Sequence, residues 1–142
     1  MTEENTNTMR VILCKPGELA RVIEMEDSLK TMQEMVGGMI EEYMPWEDEV
    51  AIICNDEGKM MGLPLNRGIK DENGHLQDII AGDFFICYAP VESEKFLSMP
   101  PELEEKYLKK FELPEMFFRD GDDIRAEKYT PRRTDHARDY VR

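Results

Sequence analysis

Apolar and polar positions change rhythm several times along this chain, and each change predicts an element. Met9 to Lys15 is an apolar run of strand length, Pro16-Gly17-Glu18 is a turn, and Arg21 to Met25 alternates, so the two runs predict a hairpin. Leu29, Met32, Met35 and Val36 then recur at helical spacing after Asp27 or Ser28, either of which can cap the helix, and Gly37-Gly38 stops it. Met39 to Met44 predicts a third strand closed by Pro45, and Val50 to Cys54 is the clearest strand of all. Asn55-Asp56-Glu57-Gly58, with its glycine last, predicts a hairpin loop whose partner strand is Lys59 to Leu63.

Pro64 to Lys70 reads as a loop and Asp71-Glu72-Asn73-Gly74 as a further turn. Asp78 to Tyr88 has strand character and ends in the aromatic-rich F-F-I-C-Y; the Gly82-Asp83 pair inside it suggests a bulge or tight corner. Beyond Pro90, Ser98 followed by Pro100-Pro101 predicts a helix start, with Leu103, Tyr107, Leu108 and Phe111 as its apolar stripe. Leu113 to Phe118 is expected to dock on the core through Met116, Phe117 and Phe118, and apolar residues thin out from Arg119.

These elements predict an α+β fold: a small mixed or antiparallel sheet with a β-β-α-β-β start, one covering helix and a C-terminal helix. A β-grasp-like sheet is one arrangement of that order. The expected organisation is a disordered leader over residues 1–8, a single α+β domain over 9–118, and an extended or disordered tail over 119–142.

Composition narrows the function classes. The net charge is −13, with 31 Asp+Glu against 18 Lys+Arg, and the excess lies in the body; residues 119–142 are mixed and slightly basic. Such a body repels nucleic-acid phosphates, so direct nucleic-acid binding by it is not expected, whereas a protein partner with a basic surface is. No apolar run is long enough to span a bilayer, and the polar, acidic N-terminus is no signal peptide, so no membrane association and a cytoplasmic location are expected. Cys14, Cys54 and Cys87 share no C-x-x-C spacing and each sits in an apolar run, where a free thiol is a small buried hydrophobe. Met25, Met32, Met35, Met39, Met44, Met60 and Met61 fall mostly at core-facing positions and are read as gap fillers, with a flexible methionine-rich binding face as the other reading.

Catalytic sets are thin. Ser28 and Ser98 are explained as helix caps, and His75 and His136 lie in a turn and in the tail, where no nucleophile is held against a base. The motifs of phosphate loops and metal sites are missing, and the two acidic turns use residues that turns favour for backbone reasons. No catalytic residue, metal or cofactor is assigned. One group stands apart: Asn66-Arg67, braced by Leu63-Pro64, places a permanent planar cation on an acidic body. Two uses are open to it, recognition of a nucleotide-like anion or an internal brace to carbonyls, Asp78 or Asp83. The candidate ligand-binding residues are therefore Asn66, Arg67, Asn55 and Asp78.

The runs M-V-G-G-M-I-E, I-C-N-D-E-G-K-M-M-G-L-P-L-N-R, D-I-I-A-G-D-F-F-I and S-M-P-P-E-L-E-E-K-Y-L-K-K-F resemble a family named domain of unknown function 3846. The resemblance spans roughly Met9 to Phe111. It implies a bacterial accessory protein of phages, plasmids and other mobile elements, and it supplies no catalytic residues. Together with the acidic body it leads to an expected function: a non-enzymatic binding domain that engages a protein partner, as an antirestriction-like decoy would. Exposed strand edges and methionines make a homodimer a further expectation.

Overall fold

The computed structural model describes residues 7–131. In chain order they form β1 (Thr8–Cys14), β2 (Arg21–Glu26), α1 (Leu29–Val36), β3 (Ile40–Tyr43), β4 (Val50–Asn55), β5 (Leu65–Lys70), β6 (Leu76–Ala81), β7 (Phe84–Tyr88), α2 (Pro101–Phe111), β8 (Glu115–Asp120) and β9 (Asp123–Lys128). A five-stranded sheet in the order β2-β1-β7-β4-β3 forms the middle layer, and β5-β6 and β8-β9 are separate hairpins. Every pairing is antiparallel, so the protein is α+β with a small antiparallel sheet. The mixed-sheet and β-grasp-like arrangements do not apply, because β1 runs antiparallel to both of its neighbours.

The central strands carry unbroken apolar runs, Val11–Cys14 in β1, Val50–Cys54 in β4 and Phe84–Cys87 in β7, because both faces of the sheet are covered there. Side chains alternate along a strand, and the buried residues divide accordingly. Val11, Leu13, Ala51, Ile53, Phe85 and Cys87 pack with Met32 and Val36 of α1. Ile12, Cys14, Val50, Ile52, Cys54, Phe84 and Ile86 pack with Tyr107 and Phe111 of α2 and with Ile69 and Ile80 of the β5-β6 hairpin. The expected single covering helix is therefore half of the answer: α1 covers one face, and α2 with β5-β6 covers the other.

Local chemistry sets the helix ends. Ser28 caps α1, its side chain accepting from the Thr31 N–H at 3.1 Å, and Gly37 closes the helix with φ 79°. Pro101 opens α2, with Glu102 and Glu104 in its first turn and Lys109 and Lys110 in its last, each sign matching the helix dipole. Ser98 is not its cap. The Ser98 hydroxyl accepts from the Arg10 N–H at 3.0 Å and so ties the approach to α2 onto β1.

Several further expectations differ from the structure. Lys59 to Leu63 is not a strand: Met61 N–H donates to Glu57 O, Gly62 N–H to Lys59 O and Leu63 N–H to Gly58 O, which coils the segment tightly. The strand is instead Leu65–Lys70, where a loop was expected, and its polar Asn66 and Arg67 are buried. At Gly82-Asp83 the expected tight corner is present, and it divides Asp78 to Tyr88 into two strands that belong to different sheets. The expected domain boundary at residue 118 falls inside β8, which pairs with β9 through Lys128, so this part of the expected tail is extended but paired. In that hairpin Met116 and Phe118 are exposed, so they do not dock on the core. The remainder of the tail, with His136, and most of the leader lie outside the described residues.

Candidate functional site

Asn66 and Arg67 are both fully buried, and a bulge puts them there. The β5-β6 register shifts between Leu65 and Arg67, so two consecutive side chains enter the interior together. Arg67 Nη1 donates to Asn66 Oδ1 at 2.9 Å and to Lys15 O at 3.3 Å, Nε donates to Phe111 O at 3.1 Å, and Nη2 donates to Glu18 O at 2.8 Å. Asn66 Nδ2 donates to Cys14 O at 3.0 Å and to Gly82 O at 2.8 Å. Of the two uses open to this pair, the internal one is realised. The brace runs to carbonyls, and neither Asp78 nor Asp83 takes part. Burial pushes the Arg67 guanidinium down from its usual value, opposed by nearby acidic groups that include Glu115. Glu115 is itself buried and accepts from the Gly68 N–H at 2.9 Å.

Three of the five carbonyls held by this pair belong to residues that line a surface crevice, namely Lys15, Glu18 and Gly82. Lys15, Pro16, Glu18, Leu63, Pro64, Gly82 and Asp83 line it, together with the end of α1 from Glu34 to Gly37, around a volume of about 470 Å³. That volume lies within the usual range of ligand pockets. At its corner Gly82 adopts φ +88°, a backbone conformation that favours glycine, and an added Cβ would stand 2.7 Å from Leu63 Cδ1. Burial raises the Asp83 carboxyl above the usual carboxylate range; Lys15 opposes the rise and Glu18 adds to it. Asn66 and Arg67 thus position the crevice from beneath and offer it no donor. Lys15, Leu63 and Asp83, which do face it, come from separate segments, and only the Pro-Gly turn and the Gly-Asp corner mark them in the sequence.

Asn55 and Asp78 lie elsewhere, on a smaller cleft of about 230 Å³ whose lining excludes Asn66 and Arg67. The four candidate ligand residues are therefore not one site. Asn55 is a structural pin: its Oδ1 accepts from the Glu57 N–H at 2.8 Å, and its Nδ2 donates to Val36 O at 3.1 Å and lies 3.6 Å from Met61 Sδ. Asp78 accepts from Lys59 Nζ at 2.7 Å and from the Ile79 N–H at 2.8 Å. The other acidic turn is closed in the same way, with Asp71 Oδ1 accepting the N–H groups of Asn73 and His75. Those bonds, the one from His75 foremost, hold the Asp71 carboxyl below its ordinary range. The thiols of Cys14, Cys54 and Cys87 are buried, and burial pushes Cys14 and Cys54 up to about 12.

The model of one family, Domain of unknown function (DUF3846), matches residues 9–112. The chain belongs to that family. No curated protein and no solved structure matches it. The match places β1 through α2 in the DUF3846 domain, together with the crevice and the Asn66–Arg67 brace, and leaves the β8-β9 hairpin beyond its end. No helix among the described residues is long and apolar enough to cross a membrane.

Charge is the other feature of this DUF3846 domain. Residues 31–58 contain eight carboxylates, namely Glu34, Glu41, Glu42, Glu47, Asp48, Glu49, Asp56 and Glu57, and no Lys, Arg or His. They spread over α1, the edge strand β3 and the ends of β4. Glu34, Glu41, Glu42, Glu47, Asp56 and Glu57 are exposed. Asp48 accepts from Lys106 Nζ at 2.6 Å and from the Tyr107 hydroxyl at 2.8 Å, which together hold its carboxyl below the usual range.

Proposed function

We propose that this protein is a non-enzymatic binding domain that engages a basic surface on a protein partner through its acidic α1–β3 side. The observation that carries the reading is the cation-free stretch over residues 31–58, six of whose eight carboxylates are exposed. Clustered like charge destabilises a compact state through self-repulsion and speeds the approach of an oppositely charged partner. The resemblance to mobile-element proteins gives this chemistry a purpose, since an acidic face fits a basic site that otherwise holds nucleic acid. A cytoplasmic location goes with that reading.

The runner-up, capture of a nucleotide-like anion by Asn66 and Arg67, loses support because both side chains are buried and committed to carbonyls. The test is capture of partners on the immobilised protein at low and high salt, beside the Glu41→Lys/Glu42→Lys variant. The reading expects a defined partner that high salt releases and the variant fails to hold. A partner indifferent to both would end it.

A further inference from the structure

The expectation that the methionines fill the core holds for Met25 and Met32, which are buried. Met39, Met60 and Met61 are 64%, 87% and 54% exposed. Met61 reaches Asn55 through its side chain, whereas Met39 meets the same strand end through its backbone, its own Sδ lying 3.6 Å from Gln33 Nε2. Met61 Sδ lies 3.6 Å from Asn55 Nδ2, Met39 O accepts the Asp56 N–H at 3.1 Å, and Asn55 pairs with Ile40, the neighbour of Met39. Met60 adjoins Met61 in the coiled segment that follows β4. Exposed carboxylates of Glu34, Glu41, Asp56 and Glu57 stand on the flanking segments, and the adjoining cation, Lys59 beside Met60, is tied to Asp78 at 2.7 Å.

Water-exposed methionine is costly in apolar area, yet its unbranched, polarizable side chain moulds to many shapes. An apolar patch rimmed by polar groups marks an interaction site, and the rim charge selects the partner. From this juxtaposition we propose that Met39, Met60 and Met61, with the carboxylates of Glu34, Glu41, Asp56 and Glu57 on their flanking segments, dock a basic amphipathic helix of the partner protein. Its apolar face seats on the methionines, and its Lys and Arg side chains reach the carboxylates. The occupant proposed is a basic helix rather than a second copy of this same patch, which would bring the same carboxylates against each other. The inference rests on the acidic-surface reading and adds that the contact has an apolar centre.

The experiment uses the full chain and two labelled peptides of identical Leu/Lys composition, one patterned as an amphipathic helix and one scrambled to have no apolar face. Binding is read by fluorescence anisotropy. The protein should bind the patterned peptide at least about tenfold more tightly than the scrambled one, a difference of about 1.4 kcal/mol. The Met39→Gln/Met60→Gln/Met61→Gln variant should lose that preference while still binding both peptides at low salt. Its helix and strand content, read by circular dichroism, should be unchanged. A variant that keeps the preference, or a parent protein that shows none while binding both peptides, overturns the methionine patch alone. A parent protein that binds neither peptide at low salt overturns the acidic-surface reading with it.

Discussion

Arg67 Nη1 lies 2.9 Å from Oδ1 of its sequence neighbour Asn66, although neighbouring side chains on a strand ordinarily point to opposite faces. The bulge in β5 permits the contact, and the pair then holds five backbone carbonyls from four segments: Cys14, Lys15, Glu18, Gly82 and Phe111. A guanidinium taken out of water costs several kcal/mol unless its donors are met. Here its three nitrogens all donate.

Removing that guanidinium takes the side-chain donor from the carbonyls of Lys15, Glu18 and Phe111; the Phe111 carbonyl is left in a buried position, while Lys15 O still accepts the Glu18 N–H. Arg67→Ala should lower the unfolding free energy by about 3–5 kcal/mol, measured by urea denaturation. Arg67→Lys should recover only part of the loss, since one ammonium cannot span acceptors arranged for a planar fork. An alanine variant as stable as the parent would mean that the buried network holds nothing.

Gly82 makes a narrower prediction. Its φ of +88° disfavours any L side chain, and a new Cβ would press on Leu63, which lines the crevice. Gly82→Ala should cost about 1–3 kcal/mol in the same assay, with shifts in the NMR signals of the Leu63 methyls. An unstrained, unshifted variant would show that the corner relaxes freely.

Much of this fold is legible in the sequence where burial follows a simple period. β1, β2, α1, β4 and β7 appear as apolar runs or helical spacing, and Ser28, Gly37 and Pro101 mark ends by their own backbone chemistry. Reading fails where polar residues go inward or apolar ones outward. β5 carries Asn66, Arg67 and Gly68 inside, so it looks like a loop until its partners, up to fifty-two residues away in sequence, are known. Lys59 to Leu63 looks like a strand by composition, but K-M-M-G-L does not alternate, and its methionines face water. The brace is visible as an isolated Arg on an acidic body. The crevice is not, because Lys15, Leu63 and Asp83 meet only in the folded chain.

The three thiols should be silent in the native protein. All are buried, burial raises each above its ordinary value, and the thiolate is the reactive form. Ellman's reagent at mildly alkaline pH should therefore find no fast-reacting cysteine until denaturant is added, and then three. Rapid native labelling of Cys54, the least enclosed of them, would indicate opening of the β3-β4 edge.

Asp48 and Asp83 should act oppositely on acid stability. The Asp48 pKa is lowered in the fold, first by the Lys106 hydrogen bond and then by that of Tyr107. Its contribution is therefore present above the unfolded carboxylate value of about 3.9 and lost as pH falls through the lower folded value. The Asp83 pKa is raised by burial. The folded state then binds its proton more readily than the unfolded chain, and stability falls as pH rises between the unfolded value and the higher folded one. Melting temperature against pH separates the two. Asp48→Asn should melt lower than the parent at neutral pH and approach it as the medium is acidified past the unfolded carboxylate range. Asp83→Asn should melt at or above the parent at neutral pH and lose that advantage on acidification. If Asp83→Asn melts well below the parent at neutral pH, the carboxylate has a stabilising partner in the fold, and the crevice wall is held by more than the Asn66–Arg67 brace.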